Sequence, residues 1–291
     1  MSTSTRTIAR RPYREGVELS VLGFGGYMLV GLEQEEANHL VARAVDRGVN
    51  YFDVAPGYGN GEAEEKLGVA LRPYRDRVFL ACKTYRRSAE GASDELERSL
   101  QRLQTDHLDL YQFHGVRRKD VDRIFASGGA AEVFLRAREE GQVRFIGFSS
   151  HDDATALAML DSFAFDSVLF PVNFVCYAQA GVGPRVIQSA KQKGASRLAI
   201  KALAFTPWGE GEARDYPNCW YRPVSDPELA WQALRFTLSE DVTAAVSPGD
   251  HRLLPLVLEL AAGFSPLEAQ ERERLLASTR GVQPIFPRAD M

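Results

Sequence analysis

The chain has 291 residues, of which 45% are hydrophobic and 25% are charged, and these are the proportions of an ordinary soluble globular protein. Its formal charge of −4 argues against a general nucleic-acid binder, which normally carries a basic excess. No apolar run approaches the roughly 18 residues that span a bilayer, and the arginines near the N-terminus precede no apolar segment like that of a secretory signal.

Short apolar segments alternate along the chain with longer amphipathic ones. Eight apolar segments predict strands, at residues 21–25, 50–54, 77–82, 108–113, 144–149, 167–172, 198–203 and 242–246. Most are continuous apolar runs, as expected for parallel strands that are buried on both faces. Segments with apolar residues at three-to-four spacing predict helices at 33–47, 93–103, 130–140, 153–160, 184–193 and 227–239.

This alternation of strands and helices predicts an α/β fold, a (β/α)8 barrel formed by residues 1–291 as one domain. A doubly wound open sheet would carry GxGxxG after its first strand, but residues 23–26 are GFGG and open no immediate helix. Residues 7–12 and 16–22 predict an N-terminal β-hairpin that plugs the barrel bottom. The long irregular segment 204–226 predicts a lid or binding loop, and the chain after residue 256 begins as a helix and ends as a Pro-containing tail.

Ionisable or polar residues follow nearly every predicted strand, and in a barrel these positions meet at one mouth. Asp53 and Tyr58 follow the second strand, Lys83 the third and His114 the fourth. An ammonium lowers the high pKa of a neighbouring phenol, a carboxylate keeps that ammonium charged, and a histidine can orient a carbonyl oxygen. Each residue alone has an ordinary structural explanation, but together they predict a proton-donating group for carbonyl reduction.

The segments around these four residues resemble the aldo-keto reductase family. YFDVAPGYGNGEAEEKLG at 51–68 is similar to the family signature, in which an Asp precedes a Tyr by five positions. LACKT around Lys83, LDLYQFH ending at His114 and GQVRFIGFSS at 141–150 resemble its third, fourth and fifth strands. The resemblance implies reduction of an aldehyde or ketone by NADPH, with Tyr58 as general acid. Lys83 and Asp53 would tune that acid, and His114 would position the carbonyl.

The resemblance also implies that NADP(H), or NAD(H) as the alternative, binds in an extended conformation across the mouth without a Rossmann domain. Ser149 and Asn173 would hold the carboxamide, residues 247–249 would cradle phosphate, and Arg252 would meet the 2′-phosphate although Asp250 beside it would repel one. The full set of implied cofactor-binding residues is Gly26, Tyr27, Asp53, Ser149, Ser150, Asn173, Lys201, Ala202, Leu203, Ser247, Gly249 and Arg252.

This set departs from the family pattern in two places. Ser150 stands where an Asn is common, and residues 201–203 stand where the family commonly has a Ser-Pro-Leu stretch or an aromatic side chain that stacks on the nicotinamide. Ala202 and Leu203 would therefore offer backbone and apolar contact only.

Other functions and properties stay open at this point. A regulatory protein that binds NADP(H) with vestigial activity would show cofactor affinity without turnover, and a barrel aldolase would form a Schiff base on Lys83. Three scattered cysteines favour neither disulfides nor a metal site, so we expect a cytoplasmic protein without metal or a cysteine-rich iron–sulfur extension. A small carbonyl compound is the expected partner, rather than nucleic acid or membrane, while the oligomeric state is undetermined.

Overall fold

A closed barrel of eight parallel strands forms the centre of the computed structural model, which describes residues 7–287. In chain order, the eight barrel strands and the four strands outside the barrel are β1 (Arg10–Arg14), β2 (Val17–Ser20), β3 (Leu22–Gly25), β4 (Tyr51–Asp53), β5 (Phe79–Thr84), β6 (Leu108–Phe113), β7 (Val143–Ser149), β8 (Ser167–Pro171), β9 (Ser196–Ile200), β10 (Ala204–Pro207), β11 (Tyr221–Pro223) and β12 (Ala244–Val246). The barrel closes in the order β12, β3, β4, β5, β6, β7, β8, β9, so the predicted (β/α)8 fold is confirmed.

Helices connect the barrel strands and cover their outer face. They are α1 (Gln34–Asp46), α2 (Glu62–Leu71), α3 (Ala89–Leu103), α4 (Val121–Phe125), α5 (Ala130–Glu139), α6 (Asp153–Ser162), α7 (Phe174–Ala180), α8 (Pro184–Gln192), α9 (Pro227–Ser239), α10 (Leu254–Ala262) and α11 (Ala269–Ser278). The six predicted helices are α1, α3, α5, α6, α8 and α9. No helix within residues 7–287 is long and apolar enough to cross a membrane.

The strands are apolar on both faces because each face has its own core. Side chains such as Tyr51, Phe79 and Phe145 point into the barrel and form one buried cluster. Their sequence neighbours, including Phe52 and Leu80, point outward and pack under the helices in a second, larger cluster. Alternate residues of a strand face opposite sides, so two buried faces produce the continuous apolar runs seen in the sequence.

The predicted N-terminal hairpin is present as β1 and β2, which pair antiparallel. Its turn lies at Glu15 and Gly16, whose φ angles of 50° and 77° suit the tight turns that match strand twist. Tyr13 reaches into the barrel beside the first residues of β4 and β5, with its ring 5.1 Å from that of Phe79. The hairpin therefore closes the barrel end opposite the strand carboxyl ends.

Two predicted boundaries near the mouth differ from the structure. The strand predicted at 198–203 ends at Ile200, because Lys201 has a φ of 69° in the left-handed region and turns the chain out of the sheet. The segment 204–226, predicted to be irregular, contains the antiparallel strands β10 and β11. These strands have four and three residues, too few for a period-two pattern to stand out in the sequence. Residues 1–6 and 288–291, which include the start of the N-terminal segment and the end of the predicted tail, lie outside the described residues.

Candidate active site

A cavity of about 390 Å³ opens at the carboxyl ends of the barrel strands, a volume suited to a small molecule. All four residues of the predicted proton-donating group, Asp53, Tyr58, Lys83 and His114, line it. The other lining residues are Gly25, Tyr27, Gly57, Tyr85, Ser149, His151, Leu169, Ile200, Lys201, Arg214, Pro217, Asn218, Trp220, Tyr221, Val246, Ser247 and Gly249.

Asp53 and Lys83 form a buried ion pair at the base of this cavity. Both side chains are almost fully enclosed, and the Lys83 ammonium donates to Asp53 Oδ1 and to the Val54 carbonyl, the latter at 3.1 Å. Burial alone would lower the pKa of Lys83, but the adjacent Asp53 carboxylate outweighs it and raises that pKa above its ordinary value. Lys83 is therefore held as a fixed positive charge at neutral pH.

Two further donors hold the Asp53 carboxylate, and sequence reasoning missed both. The Tyr51 hydroxyl donates to Oδ2 at 3.2 Å, and the Gln112 amide donates to the same oxygen at 3.1 Å. Tyr51 lies two residues before Asp53 and Gln112 two before His114, so each shares the inward face of its strand with a predicted site residue. That period of two was the available signal.

Tyr58 extends from a short 3-10 turn, Tyr58–Gly61, that follows β4. Its hydroxyl lies 3.4 Å from the Lys83 ammonium, which also sits 5.1 Å from the centre of the Tyr58 ring. Burial raises the pKa of Tyr58, while Lys83 acts in the opposite direction. The lowering by Lys83 expected from the sequence is thus present, but desolvation exceeds it and the phenol is neutral.

His114 lies just past β6 and packs edge-on against Tyr58, with ring centres 5.9 Å apart. Tyr85, which sequence reasoning did not single out, stacks on His114 at 4.0 Å and places its hydroxyl 3.2 Å from Nε2. Burial lowers the pKa of His114 well below its ordinary value of 6.5, and the positive charge of Lys83 lowers it further. The ring is therefore neutral at physiological pH.

Two hydroxyls at the mouth are prepared to donate hydrogen bonds into the cavity. Ser149 Oγ accepts from the Gly115 backbone N–H at 2.8 Å, and Ser247 Oγ accepts from the Gly25 N–H at 2.9 Å. Among residues 7–287 neither hydroxyl donates a hydrogen bond, so each can donate to an oxygen of a bound molecule.

Other predicted cofactor residues are not brought to the cavity surface. The Asn173 amide nitrogen donates to the carbonyls of Lys201 and Ala204, and its oxygen accepts from two backbone N–H groups of α7. The Ser150 hydroxyl donates to the Val116 carbonyl at 3.0 Å. The remaining three, Gly26, Ala202 and Leu203, are buried and do not line the cavity.

Arg252 lies beyond the cavity in a paired state. Its Nε and one terminal nitrogen each lie 2.8 Å from an oxygen of Asp250, whose side chain is buried. Within residues 7–287 the other terminal nitrogen of Arg252 forms no hydrogen bond, and the side chain is half exposed. Asp250 therefore partly neutralises the arginine expected to meet a phosphate, yet leaves it one free donor.

The segment 204–226 borders the mouth, where its residues Arg214, Asn218 and Trp220 line the cavity. Its Asn218 donates to the Val30 carbonyl at 3.3 Å, next to the loop that follows β3. The Asn218 carbonyl oxygen would lie 2.9 Å from a Cβ added at Gly249, so only glycine fits there without movement. The segment thus bridges the loops that follow the first and last barrel strands.

The charged residues that line the cavity give it a positive field. They are Lys83, Lys201 and Arg214, against the single carboxylate of Asp53. This local excess of cations contrasts with the formal charge of −4 for the whole chain. Together with the free serine hydroxyls and the glycine at 249, it fits an anionic nucleotide lying across the mouth.

Comparisons with known proteins agree with one another. Residues 21–219 match the model of the Aldo/keto reductase family. Over 152 residues the chain is 36% identical to the aldo-keto reductase YhdN of Bacillus subtilis, a match that covers 46% of this chain and 44% of that protein. The chain therefore spans under half the length of this relative. A Mycobacterium sp. (strain JLS) aldo-keto reductase is 31% identical over 209 residues, 69% of each protein.

Solved structures share the architecture over nearly the whole chain. The holo form of the aldo-keto reductase AKR11C1 from Bacillus halodurans is 25% identical, with a TM-score of 0.76 over 97% of this chain and all of that one. An aldo-keto reductase from Klebsiella pneumoniae in complex with NADPH is 22% identical, with a TM-score of 0.73 over 98% and 99% of the two chains.

Proposed function

The chain belongs to the aldo-keto reductase family, and on that premise we propose that it reduces an aldehyde or ketone to the alcohol with NADPH. The observation that carries this proposal is the convergence of four groups at one cavity. The Tyr58 hydroxyl faces the Lys83 ammonium at 3.4 Å, Asp53 holds that ammonium, and His114 packs beside the phenol. The bound cofactor would supply the hydride that adds to the carbonyl carbon.

In this proposal Tyr58 donates the proton that the carbonyl oxygen needs as hydride arrives. A phenol with a raised pKa keeps its proton until negative charge develops on that oxygen. The phenolate left on Tyr58 is then stabilised by the adjacent ammonium of Lys83, which Asp53 keeps charged. In the direction of alcohol oxidation, the phenolate takes the proton back.

Neutral His114 has a different task in the same reaction. Its ring stands against Tyr58 and lines the cavity, and its Nε2 lies 3.2 Å from the Tyr85 hydroxyl. A neutral imidazole of low pKa can donate or accept one hydrogen bond without competing for the transferred proton. We assign His114 to positioning the carbonyl oxygen beside the Tyr58 hydroxyl.

NADPH is the cofactor that the cavity and the neighbours support. Two solved structures of aldo-keto reductase from Klebsiella pneumoniae with this fold are complexes, one with NADPH and one with NADP and acetate. In this chain Ser149 would donate to the nicotinamide carboxamide, and Tyr27 would lie near the nicotinamide ribose. Ser247 and Gly249 would cradle phosphate at the mouth. The free terminal nitrogen of Arg252 would meet the 2′-phosphate.

The ion pair of Lys83 argues against a Schiff-base aldolase. A lysine that attacks a carbonyl must be neutral, whereas Asp53 raises the pKa of Lys83 and burial encloses its ammonium. The aldolase alternative therefore finds no support in this geometry.

Cofactor titration followed by a turnover screen tests the proposed function. NADPH and NADH are titrated by fluorescence, and a panel of aldehydes and ketones is then screened by loss of reduced-nicotinamide absorbance. We expect NADPH to bind more tightly than NADH and at least one carbonyl compound to be reduced. Normal NADPH affinity without turnover on the whole panel would instead identify a regulatory protein that binds the cofactor.

A further inference from the structure

Lys201, which the family resemblance places among the cofactor contacts, brings a second ammonium into the cavity, and the proton transfer assigned to Tyr58 does not use it. Lys201 lines the cavity, and its Nζ lies over the aromatic rings of Trp220 and Tyr221, 5.4 and 5.0 Å from their centres. Within residues 7–287 no carboxylate lies within salt-bridge distance of this ammonium, unlike that of Lys83. The cavity therefore holds one paired lysine and one lysine free to bind an anion.

The backbone at Lys201 is held in an unfavourable conformation. Its φ of 69° lies in the left-handed region that residues with a Cβ rarely adopt. The Asn173 amide donates to the Lys201 carbonyl at 3.0 Å and to that of Ala204, which fixes the turn after β9. Strain of this kind concentrates at binding sites, where the surrounding structure holds a side chain in place.

The dimensions of the cavity bring this ammonium within reach of a molecule bound at Tyr58. A sphere of 390 Å³ is about 9 Å across, and the nicotinamide end of the cofactor would share this space, so a substrate beside it must be small. Exposed Tyr85 and Trp220 add flat apolar surface to the walls. A compound whose carbonyl lies against Tyr58 can thus extend a second group to Lys201.

We propose that Lys201 binds a carboxylate of the substrate, so that this chain acts on small carbonyl compounds that carry a carboxylate. The inference deepens the proposed function and rests on it. Arg214, which is exposed at the same cavity and forms no ion pair among the described residues, adds a second cation at the rim. Cation–π contacts with Trp220 and Tyr221 orient the ammonium and leave its N–H groups free to donate hydrogen bonds.

The position of Lys201 places its ammonium beside the carbonyl site. It lines the same cavity as Tyr58 and His114, and the rings of Trp220 and Tyr221 flank its ammonium there. Burial and then the charge of Lys201 lower the pKa of His151, another lining residue, to about 4. Burial lowers the pKa of Lys201 itself to about 8. The lysine is charged at neutral pH and loses that charge as the pH rises through this value.

Matched acids and esters test the proposal. The ortho, meta and para isomers of formylbenzoate are compared with their methyl esters, which have nearly the same shape but no charge. We expect kcat/KM for at least one acid to exceed that of its ester about tenfold or more, and Lys201→Met to remove about ten- to hundredfold for that acid, chiefly through KM. The ester should change less than about twofold, and Lys201→Arg should retain part of the preference. The acid's advantage should also decline above about pH 8.

Two controls separate the possible roles of the lysine. Lys193→Met removes a surface ammonium that pairs with Asp161 at 2.9 Å, away from the cavity, and should leave acid and ester unchanged. NADPH is also titrated into Lys201→Met by fluorescence, because the resemblance places Lys201 among the cofactor contacts. Weaker NADPH binding with equal losses for acid and ester would overturn the proposal and assign Lys201 to the cofactor.

A binding measurement distinguishes failure of this inference from failure of the proposed function. Calorimetry with the three hydroxymethylbenzoates and their methyl esters, in the presence of NADP, requires no turnover. Tighter binding of an acid that Lys201→Met abolishes would support the carboxylate site even if no carbonyl compound is reduced. Turnover with the same acid-to-ester ratio in native and Lys201→Met protein would refute it while leaving the reductase function intact.

Discussion

Replacing Asp53 with Asn tests the electrostatics of the site without changing its shape. The carboxylate accepts from Lys83, Tyr51 and Gln112. Gln112 Oε1 has no hydrogen-bond partner among residues 7–287, so its amide can turn over and accept from the new amide N–H. The hydrogen bonds can therefore be rebuilt, and the loss falls on the charge.

The expected cost follows from leaving one buried charge alone. The Lys83 side chain is 2% exposed, so its ammonium would have no solvent and no counter-ion. Removing one partner of a buried pair typically costs about 3–5 kcal/mol, and we expect Asp53→Asn to lose stability in that range at neutral pH. Without Asp53, burial lowers the folded-state pKa of Lys83 below its unfolded value. The folded protein then binds fewer protons, and the variant should regain stability as the pH rises.

A double-mutant cycle measures this coupling. Urea unfolding of Asp53→Asn, Lys83→Met and the double variant is followed by tryptophan fluorescence. The double variant should be more stable than Asp53→Asn alone, because removing the ammonium removes the unpaired charge. Simple addition of the two losses would refute the buried ion pair as the organising element of the site.

Three further predictions concern single residues around the mouth. Burial keeps His114 neutral in the folded protein, so only the unfolded chain gains a proton on this residue below about pH 6.5. The free energy of unfolding, measured with urea, should therefore fall by about 1 kcal/mol from about pH 6.5 to 5.5, and by less in His114→Asn. Arg252→Ala should weaken NADPH binding about tenfold and leave NADH binding unchanged in fluorescence titrations, because only NADPH carries the 2′-phosphate. Gly249→Ala should cost about 1–3 kcal/mol of stability, since its Cβ would press on the Asn218 carbonyl and displace the segment at the mouth.

The sequence predicted the barrel because burial on both faces leaves a strong pattern. Each barrel strand carries one set of side chains inside and another under the helices, so its apolar run stands out against the amphipathic helices. Boundaries were less accurate where local backbone geometry decides them. Nothing in the residues 198–203 shows that Lys201 turns the chain left-handed, since the partner that fixes it, Asn173, lies 28 residues away.

The candidate site was predicted where residues follow strand ends and missed where long-range packing decides. Asp53, Tyr58, Lys83 and His114 were found because each stands at a strand end or just past one. Tyr85 was missed because its role comes from stacking on a ring 29 residues away. Long-range packing also explains why some implied cofactor residues do not line the cavity. The position of Asn173 in the sequence could not show that its hydrogen-bonding groups are fully used within the protein.

Turnover of Tyr58→Phe is the most direct test of the proposed function. The substitution removes the hydroxyl that faces Lys83 and leaves the Asp53 ion pair in place. Tyr74→Phe, which removes a hydroxyl remote from the cavity, serves as the matched control. We predict that Tyr58→Phe binds NADPH within about twofold of the native affinity and loses about a hundred- to ten-thousandfold in kcat. Near-native kcat in Tyr58→Phe would contradict its assignment as the proton donor.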